Sequence, residues 1–302
     1  MFLGCVLGIW IHLMLVNKVT YPLSPLLGLV VFIIFSLFHT HDHVGLLDVD
    51  AIAMRSKIGN RDPLLKLGFI FSTILICLIS GNVFVCTFVI ISMSFLTLIM
   101  GSLKVKYYIN ILKLPLVFIA LSSIGIMVQI SGKKLGYYDV TIFNYILSIT
   151  KESQNSSMQL FFKAYAGLTS IYFLGITTPM GDIISGLRRI YLPEILIELM
   201  YLIYRYIMLV FDTFTNLNRT AAARFGYGKL LLTLSTSKAV AVRLMNYSFR
   251  QALDNYDAME SRLYDGRLIF LENNKVITPK DLVFTVSYIL FLFLLIIVGR
   301  II

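Results

Sequence analysis

The chain has 302 residues, 58% of them hydrophobic and 14% charged, against about 45–50% apolar and about 25% charged in an ordinary soluble domain. A mean hydropathy of +0.84 excludes a soluble globular protein, and also disorder, which needs low hydrophobicity. The net charge of +10 would suggest nucleic acid in a soluble chain, but in an apolar one it reads as basic residues gathered in cytoplasmic loops. The expected fold class is all-α: a polytopic helical membrane protein embedded in the lipid bilayer, with no nucleic-acid partner.

Met1–Val16 and Leu26–Phe38 are apolar runs joined by Asn17–Pro25, a turn-rich linker with two prolines. Each is short beside the about 20 residues that a hydrocarbon core requires. The first lacks the basic n-region of a cleavable signal, so residues 1–47 read as a membrane hairpin ending in a histidine-containing tail. A polar stretch with Arg55, Lys57 and Arg61 follows. Residues 48–176 then hold four spans. Leu64–Ser80 and Val83–Met100 are joined by the tight turn Gly81-Asn82. Leu114–Ile130 comes after a loop marked by Lys104, Lys106 and Lys113, and Leu160–Ile176 after the long polar loop Ser131–Met158. The final span, Leu282–Val298, lies within residues 281–302.

Between residues 177 and 280 the composition changes. From Thr213 to Lys280 there are ten basic and five acidic residues interleaved with aromatics. Val242, Met245, Phe249, Leu253 and Tyr256 recur at steps of three and four, an apolar stripe on a helix, while Arg243, Arg250, Asp254 and Asp257 fall on other faces. This region reads as an amphipathic cytoplasmic helical domain inserted before the last span. Tyr191–Phe211 is apolar enough to tempt assignment as a span, yet carries Glu194, Glu198 and Arg205, with Asp212 next to it. Each charge at the bilayer centre costs at least about 2.5–3.5 kcal/mol, so the segment is assigned to the cytoplasmic domain. Placing every basic loop inside then leaves Gly81-Asn82 and Ser131–Met158 outside, the N-terminus cytoplasmic and the C-terminus external.

No catalytic pattern is present: there is no GxxxxGK[ST], HExxH or GxSxG. The chain is therefore expected not to be an enzyme, to bind no cofactor and to hydrolyse no nucleotide. Cys5, Cys77 and Cys86 lie in or beside apolar runs without a CxxC pair, which argues for buried small hydrophobes. His39, His41, Asp42 and His43 are spaced so that they could hold a borderline transition metal. A polar stop after an apolar run explains them as well and is the preferred reading.

Two short patterns carry more. In Ala221-Ala222-Ala223-Arg224-Phe225-Gly226-Tyr227-Gly228, and again in Ala258-Met259-Glu260-Ser261-Arg262-Leu263-Tyr264-Asp265-Gly266-Arg267, an arginine near the end of a helical run precedes an aromatic and a glycine. As local structure alone, the glycine permits a left-handed helix stop and the arginine complements the negative helix end. As function, each exposed guanidinium would fit an acidic groove on a partner, its five donors set in a rigid fork. Two arginines 38 positions apart would suit a partner with two equivalent grooves, such as an ATPase dimer.

These residues resemble the transmembrane coupling (T) subunits of energy-coupling factor transporters, above all the cobalt branch, CbiQ, over about Asp48 to Arg300. Residues 258–266 are similar to the family's second arginine signature and residues 222–227 to its first. Thr177-Thr178-Pro179, with Asp182 to Pro193, resembles the segment that opens the cytoplasmic domain. Asp50 to Ser56, with Pro63-Leu64-Leu65-Lys66, resembles the cobalt branch's entry to the first shared span. The resemblance implies a subunit that joins a substrate-binding membrane protein to a pair of ABC-type ATPases, which consume the ATP. Ala223, Arg224, Gly226, Tyr227, Ala258, Ser261, Arg262, Tyr264 and Gly266 would be the coupling residues. In that role Arg224 and Arg262 enter the ATPase grooves, Gly226 and Gly266 shape the helix ends, and Tyr227 and Tyr264 pack beside them. The family signature is often summarised as Ala-Arg-Gly; here Phe225 and Leu263 follow the arginines and a glycine comes later. The cobalt-type likeness implies Co²⁺ uptake for cobalamin synthesis, and nickel systems look alike. The alternatives are a vitamin-type coupling subunit and, in another class, a membrane enzyme with a basic cytoplasmic face.

Overall fold

The computed structural model describes residues 9–10, 46–56, 58–59, 61–101, 103–127, 129–131, 138–142, 145–264 and 278–301. The expected N-terminal hairpin, apart from Ile9 and Trp10, lies outside them, as does the histidine-containing tail. The chain divides into two compact units. One comprises Met1–Pro179 with Lys275–Ile302, the other Met180–Asn274.

In the first unit, α1 (Leu46–Arg55) precedes α2 (Pro63–Ser80), α3 (Val83–Met100), α4 (Val105–Met127), α5 (Lys151–Thr177) and α9 (Pro279–Ile301). Among the described residues, α2, α3, α4, α5 and α9 (over Pro279–Val298) are the five helices long and apolar enough to cross a membrane. Asp62 caps α2, its carboxylate accepting from the Leu64 amide at 2.9 Å, and Pro63 opens the helix where no amide hydrogen is needed. Gly81, at φ +62°, ends α2 in the left-handed conformation. This turns the chain directly into α3, as Gly81-Asn82 led us to expect.

α5 is the hub, packing against α1, α2, α3 and α4. Phe69, Val89, Met93, Ala166, Phe173 and Leu292 form the main apolar core. A second cluster joins Trp10, Val117, Ala120, Met127 and Phe161, with the Trp10 and Phe161 rings stacked at 3.9 Å.

Two spans start earlier than sequence reading placed them. α4 begins at Val105 rather than Leu114, because Tyr108, Leu112, Val117, Ala120, Ser123 and Met127 make one buried face that runs through the lysines and past Pro115. Lys113 keeps its ammonium on Asn110, one turn back, at 2.8 Å. α5 begins at Lys151 rather than Leu160, with a capping box between Thr150 and Ser153. The polar run that suggested a loop is instead glue between helices. Ser123 Oγ donates to the Ser157 carbonyl at 3.0 Å, Ser157 Oγ to the Ser123 carbonyl at 2.7 Å, and Ser153 Oγ to the Met127 carbonyl at 2.9 Å. The remainder of the expected loop holds β2 (Tyr138–Ile142) and β3 (Tyr145–Ile149), which form a small antiparallel sheet with β1 (Gln129–Ser131), the end of the expected span, since α4 stops at Met127; the order is β1-β3-β2. It is a minor addition to an all-α membrane fold.

The second unit contains α6 (Met180–Arg188), α7 (Glu194–Ala223) and α8 (Leu230–Glu260). α7 has 30 residues, yet it is not among the helices apolar enough to span. Glu194, Glu198, Arg205 and Asp212 break its hydropathy, as the charge argument anticipated.

Candidate functional site: two arginine turns

α7 and α8 are long, amphipathic and scarcely buried. Ile197 is the one buried residue of α7 and Val240 that of α8. The stripe picked out by helical spacing is real but faces outward: Val242, Met245, Phe249, Leu253 and Tyr256 are all more than half exposed. Beside it, Ile203, Tyr206, Ile207, Val210, Phe214 and Leu244 line an open apolar groove between α7 and α8.

Both helices end in the same way. After Ala221-Ala222-Ala223, Arg224 is the C-cap of α7, and the next residue, Phe225, stands at φ +57°. The Phe225 amide donates to the Ala222 carbonyl and the Gly226 amide to the Ala221 carbonyl, each at 3.0 Å. These two bonds define a Schellman turn. Past the end of α8, Arg262 is followed by Leu263 at φ +60°. The Leu263 amide donates to Glu260 at 3.0 Å and the Tyr264 amide to Met259 at 3.1 Å, the same pair of bonds in the same register. Each turn therefore sets an arginine at the carbonyl end of a helix, where its charge is favourable, and an apolar side chain beside it.

The residue in the left-handed position is glycine in neither turn. A side chain there costs roughly 1–2 kcal/mol, normally avoided by placing glycine at that position. Phe225 is 86% exposed and Leu263 90% exposed, so burial within this chain does not offset that cost. Arg224 and Arg262 are exposed too, and among the described residues neither makes an ion pair or a side-chain hydrogen bond. A third left-handed residue, Tyr191 at φ +58°, is 99% exposed just after the basic pair Arg188-Arg189.

The surroundings hold the turns in place. Gly226 is buried against α8: a Cβ on it would lie 2.8 Å from Thr236 Cγ2 and 2.9 Å from the Ala221 carbonyl oxygen, and Thr236 Oγ1 donates to the Gly226 carbonyl at 2.9 Å. Glycine is thus required at 226 by close approach, not by its own dihedral angles. Tyr227 donates to Asn218, one turn and a half inside α7. At the second turn, Ser261 Oγ bonds the Ala258 carbonyl at 3.0 Å, and the Tyr264 hydroxyl lies 3.5 Å from a Glu198 carboxylate oxygen. α8, with 31 residues, is about 46 Å long, and the turns stand before its start and at its end.

Of the residues singled out from sequence, Ala223, Arg224, Gly226 and Tyr227 therefore gather at one turn, and Ala258, Ser261, Arg262 and Tyr264 at the other. Gly266, His39, His41, Asp42 and His43 lie outside the described residues. Among the described residues, no three His, Cys, Asp or Glu side chains come together as a metal site would require. Phe225 and Leu263 were noted in the sequence only as departures from Ala-Arg-Gly. Nothing in the sequence marks that these two residues take the left-handed position, since glycine, its usual signal, is absent from it.

Residues 54–272, which include both turns, match the sequence model of the CbiQ family, described as cobalt transport protein. The chain is 26% identical over 247 residues to an uncharacterised protein of Methanocaldococcus jannaschii, covering 82% of this chain and 91% of that one. It is 27% identical over 253 residues to a putative fused cobalt transport protein CbiMQ of Methanocorpusculum labreanum, covering 83% of this chain but 41% of that protein. It is 22% identical over 240 residues to the cobalt transport protein CbiQ of Rhodobacter capsulatus, with 78% of this chain and 92% of that one aligned.

Proposed function

This chain belongs to the CbiQ cobalt transport protein family, and from that premise we propose that it is the transmembrane coupling subunit of an energy-coupling factor transporter. In this reading the multi-pass membrane unit is joined by a substrate-binding membrane subunit, and the cytoplasmic unit takes up a pair of ABC-type ATPases. The chain itself is a transport component and not an enzyme. The cargo is cobalt, or nickel as its chemical neighbour.

The observation that carries the reading is the repetition of one turn at the ends of α7 and α8. A dimeric ATPase offers two equivalent grooves. Two Schellman turns of identical bonding, each with an unengaged arginine and an exposed apolar neighbour, give two equivalent plugs. A guanidinium in an acidic groove gains forked hydrogen bonds, and Phe225 or Leu263 beside it gains the burial it lacks in the free chain. Because both turns end long helices, movement of the ATPases would be carried as rigid-body motion of α7 and α8. The membrane partner finds support in the fused CbiMQ protein, in which the CbiQ-like region matched here is part of a longer chain.

The test is a pull-down of the detergent-solubilised chain from its native membrane, wild type beside the Arg224→Glu, Arg262→Glu double variant. Wild type should bring down ABC-type ATPases and the variant should not, with equal amounts of both in the membrane. No ATPase with wild type under mild conditions, or equal capture by the variant, would overturn the coupling role.

A further inference from the structure

The membrane unit holds a cavity of about 310 Å³ that has no part in the coupling reading. It opens where α2 and α9 begin, with α3 and α5 contributing its inner wall. Phe69, Leu96, Met100, Phe173 and Phe284 make that wall apolar, while Arg61, Lys66 and Lys280 bring three cations to its rim against the carboxylates of Asp62 and Asp281.

The carboxylates are already engaged. Asp281 is paired with Arg61 and accepts from the Thr278 hydroxyl at 2.6 Å. Asp62 caps α2 through the Leu64 amide. Lys66, although buried, is held by the carbonyls of Ile58 at 2.6 Å and Thr177 at 3.2 Å. Lys280 is exposed and, among the described residues, has no ion-pair or side-chain hydrogen-bond partner. The rim therefore keeps a surplus positive charge, reinforced by the positive ends of two helix dipoles.

Depth selects the occupant. Pro63 and Pro279 are the first residues of helices long and apolar enough to cross the bilayer, which puts the rim at the membrane boundary and the aromatic wall just inside it. A phospholipid carries a phosphate attached to hydrocarbon at that same depth, and basic pockets between spans select anionic headgroups. The wedge also lies beside the least covered span. Leu292 is the one fully buried apolar side chain of α9 among the described residues. The helix is held to its neighbours by the Arg61–Asp281 pair, the Phe69–Tyr288 contact at 5.1 Å and the Ser92–Tyr288 hydrogen bond at 2.6 Å.

We infer that this cavity binds one anionic phospholipid, with its phosphate at Lys280 and Arg61 and an acyl chain along Phe69, Leu96, Met100 and Phe284. The full chain, delipidated in mild detergent, is titrated with phosphatidylglycerol or with phosphatidylcholine of the same acyl chains and read by native mass spectrometry. One phosphatidylglycerol per chain should be retained at concentrations where phosphatidylcholine is not. Lys280→Gln should weaken retention about fivefold, the effect of one cation near an anionic headgroup. Leu96→Trp, which fills the cavity without touching the rim, should abolish retention at unchanged helix content. Should Leu96→Trp fail to fold, the exposed Lys280→Gln variant decides alone. Equal retention of the two lipids, or no change in a folded variant, overturns the inference. So does displacement by millimolar inorganic phosphate, which would make this a site for a free anion. None of these outcomes depends on whether ATPases bind at Arg224 and Arg262.

Discussion

The two units solve opposite problems. In the membrane unit, hydroxyls at depth are paired off between helices: Ser123 with Ser157, Ser153 with the end of α4, Tyr108 with Ser94 at 3.1 Å, with Thr178 Oγ1 the exception among the described residues. An unmet polar group in hydrocarbon costs several kcal/mol, so the sequence spends hydroxyls where they meet each other. The second unit leaves apolar groups unmet instead. α7 and α8 bury one residue each, the stripe of Val242, Met245, Phe249, Leu253 and Tyr256 is bare, and two bulky residues occupy left-handed positions in the open. Exposed apolar faces of this extent mark interaction surfaces. One unit meets its buried hydroxyls largely from within; on the proposed reading, the other has its apolar faces covered by partners.

That contrast is broken most severely by charge reversal. Arg224 and Arg262 contact no side chain of the described residues through an ion pair or hydrogen bond, so Arg224→Glu with Arg262→Glu should remove transport while lowering stability only by the helix-end charge effect, about 0.3–1 kcal/mol for each favourable charge lost. A loss of stability equal to the loss of transport would mean that the arginines belong to the fold. Gly226→Val sharpens the same point from the backbone side. Its side chain would press on Thr236 and on the Ala221 carbonyl, costing about 1–3 kcal/mol by overpacking. Amide exchange should rise at the end of α7 and stay unchanged in α2 to α5. Faster exchange throughout the membrane helices would show that the two units do not unfold independently.

A smaller effect is expected in the membrane unit. Ser157→Ala removes one reciprocal hydroxyl bond, that to the Ser123 carbonyl, a cost of about 1–2 kcal/mol for an interhelical bond in a membrane. The midpoint of thermal denaturation in detergent should fall by a few degrees, with ATPase capture unchanged.

What could be read in advance follows the same division. Hydropathy located all five spanning helices of the described region because lipid-facing surface is apolar whatever the tertiary packing. Two starts were misplaced, at Leu114 because Lys106 and Lys113 interrupt the apolar run, and at Leu160 because Ser153 and Ser157 look solvated until the partner helix is known. Charge set α7 apart from the spans, and α7 is not among the described helices apolar enough to cross a membrane; Glu194, Glu198, Arg205 and Asp212 would each be costly in hydrocarbon. Helical spacing found the α8 stripe, but spacing carries no information on whether a stripe is covered. The two arginine patterns were legible as helix ends; the left-handed turns at Phe225 and Leu263 were not, because a left-handed dihedral angle is not marked in sequence when glycine is absent from the position that adopts it.

The finest test acts on those two residues, where stability and function should move in opposite directions. Phe225→Gly and Leu263→Gly remove a left-handed penalty of roughly 1–2 kcal/mol per residue. Each also adds backbone freedom to the unfolded chain, a cost of roughly 0.5–1 kcal/mol. The difference leaves each turn more stable by up to about 1.5 kcal/mol, since neither side chain loses burial that it has in the free chain. Amides whose bonds define the turns, at Gly226 and Tyr264, should exchange up to about tenfold more slowly, the factor that about 1.4 kcal/mol represents. ATPase capture should weaken all the same, because the apolar contact beside each arginine is gone. Both gains together, slower exchange and stronger capture, would mean that Phe225 and Leu263 are tolerated strain with no partner to cover them. Slower exchange with weaker capture would show that each turn carries its strain in the free chain for the sake of a contact made only in the complex.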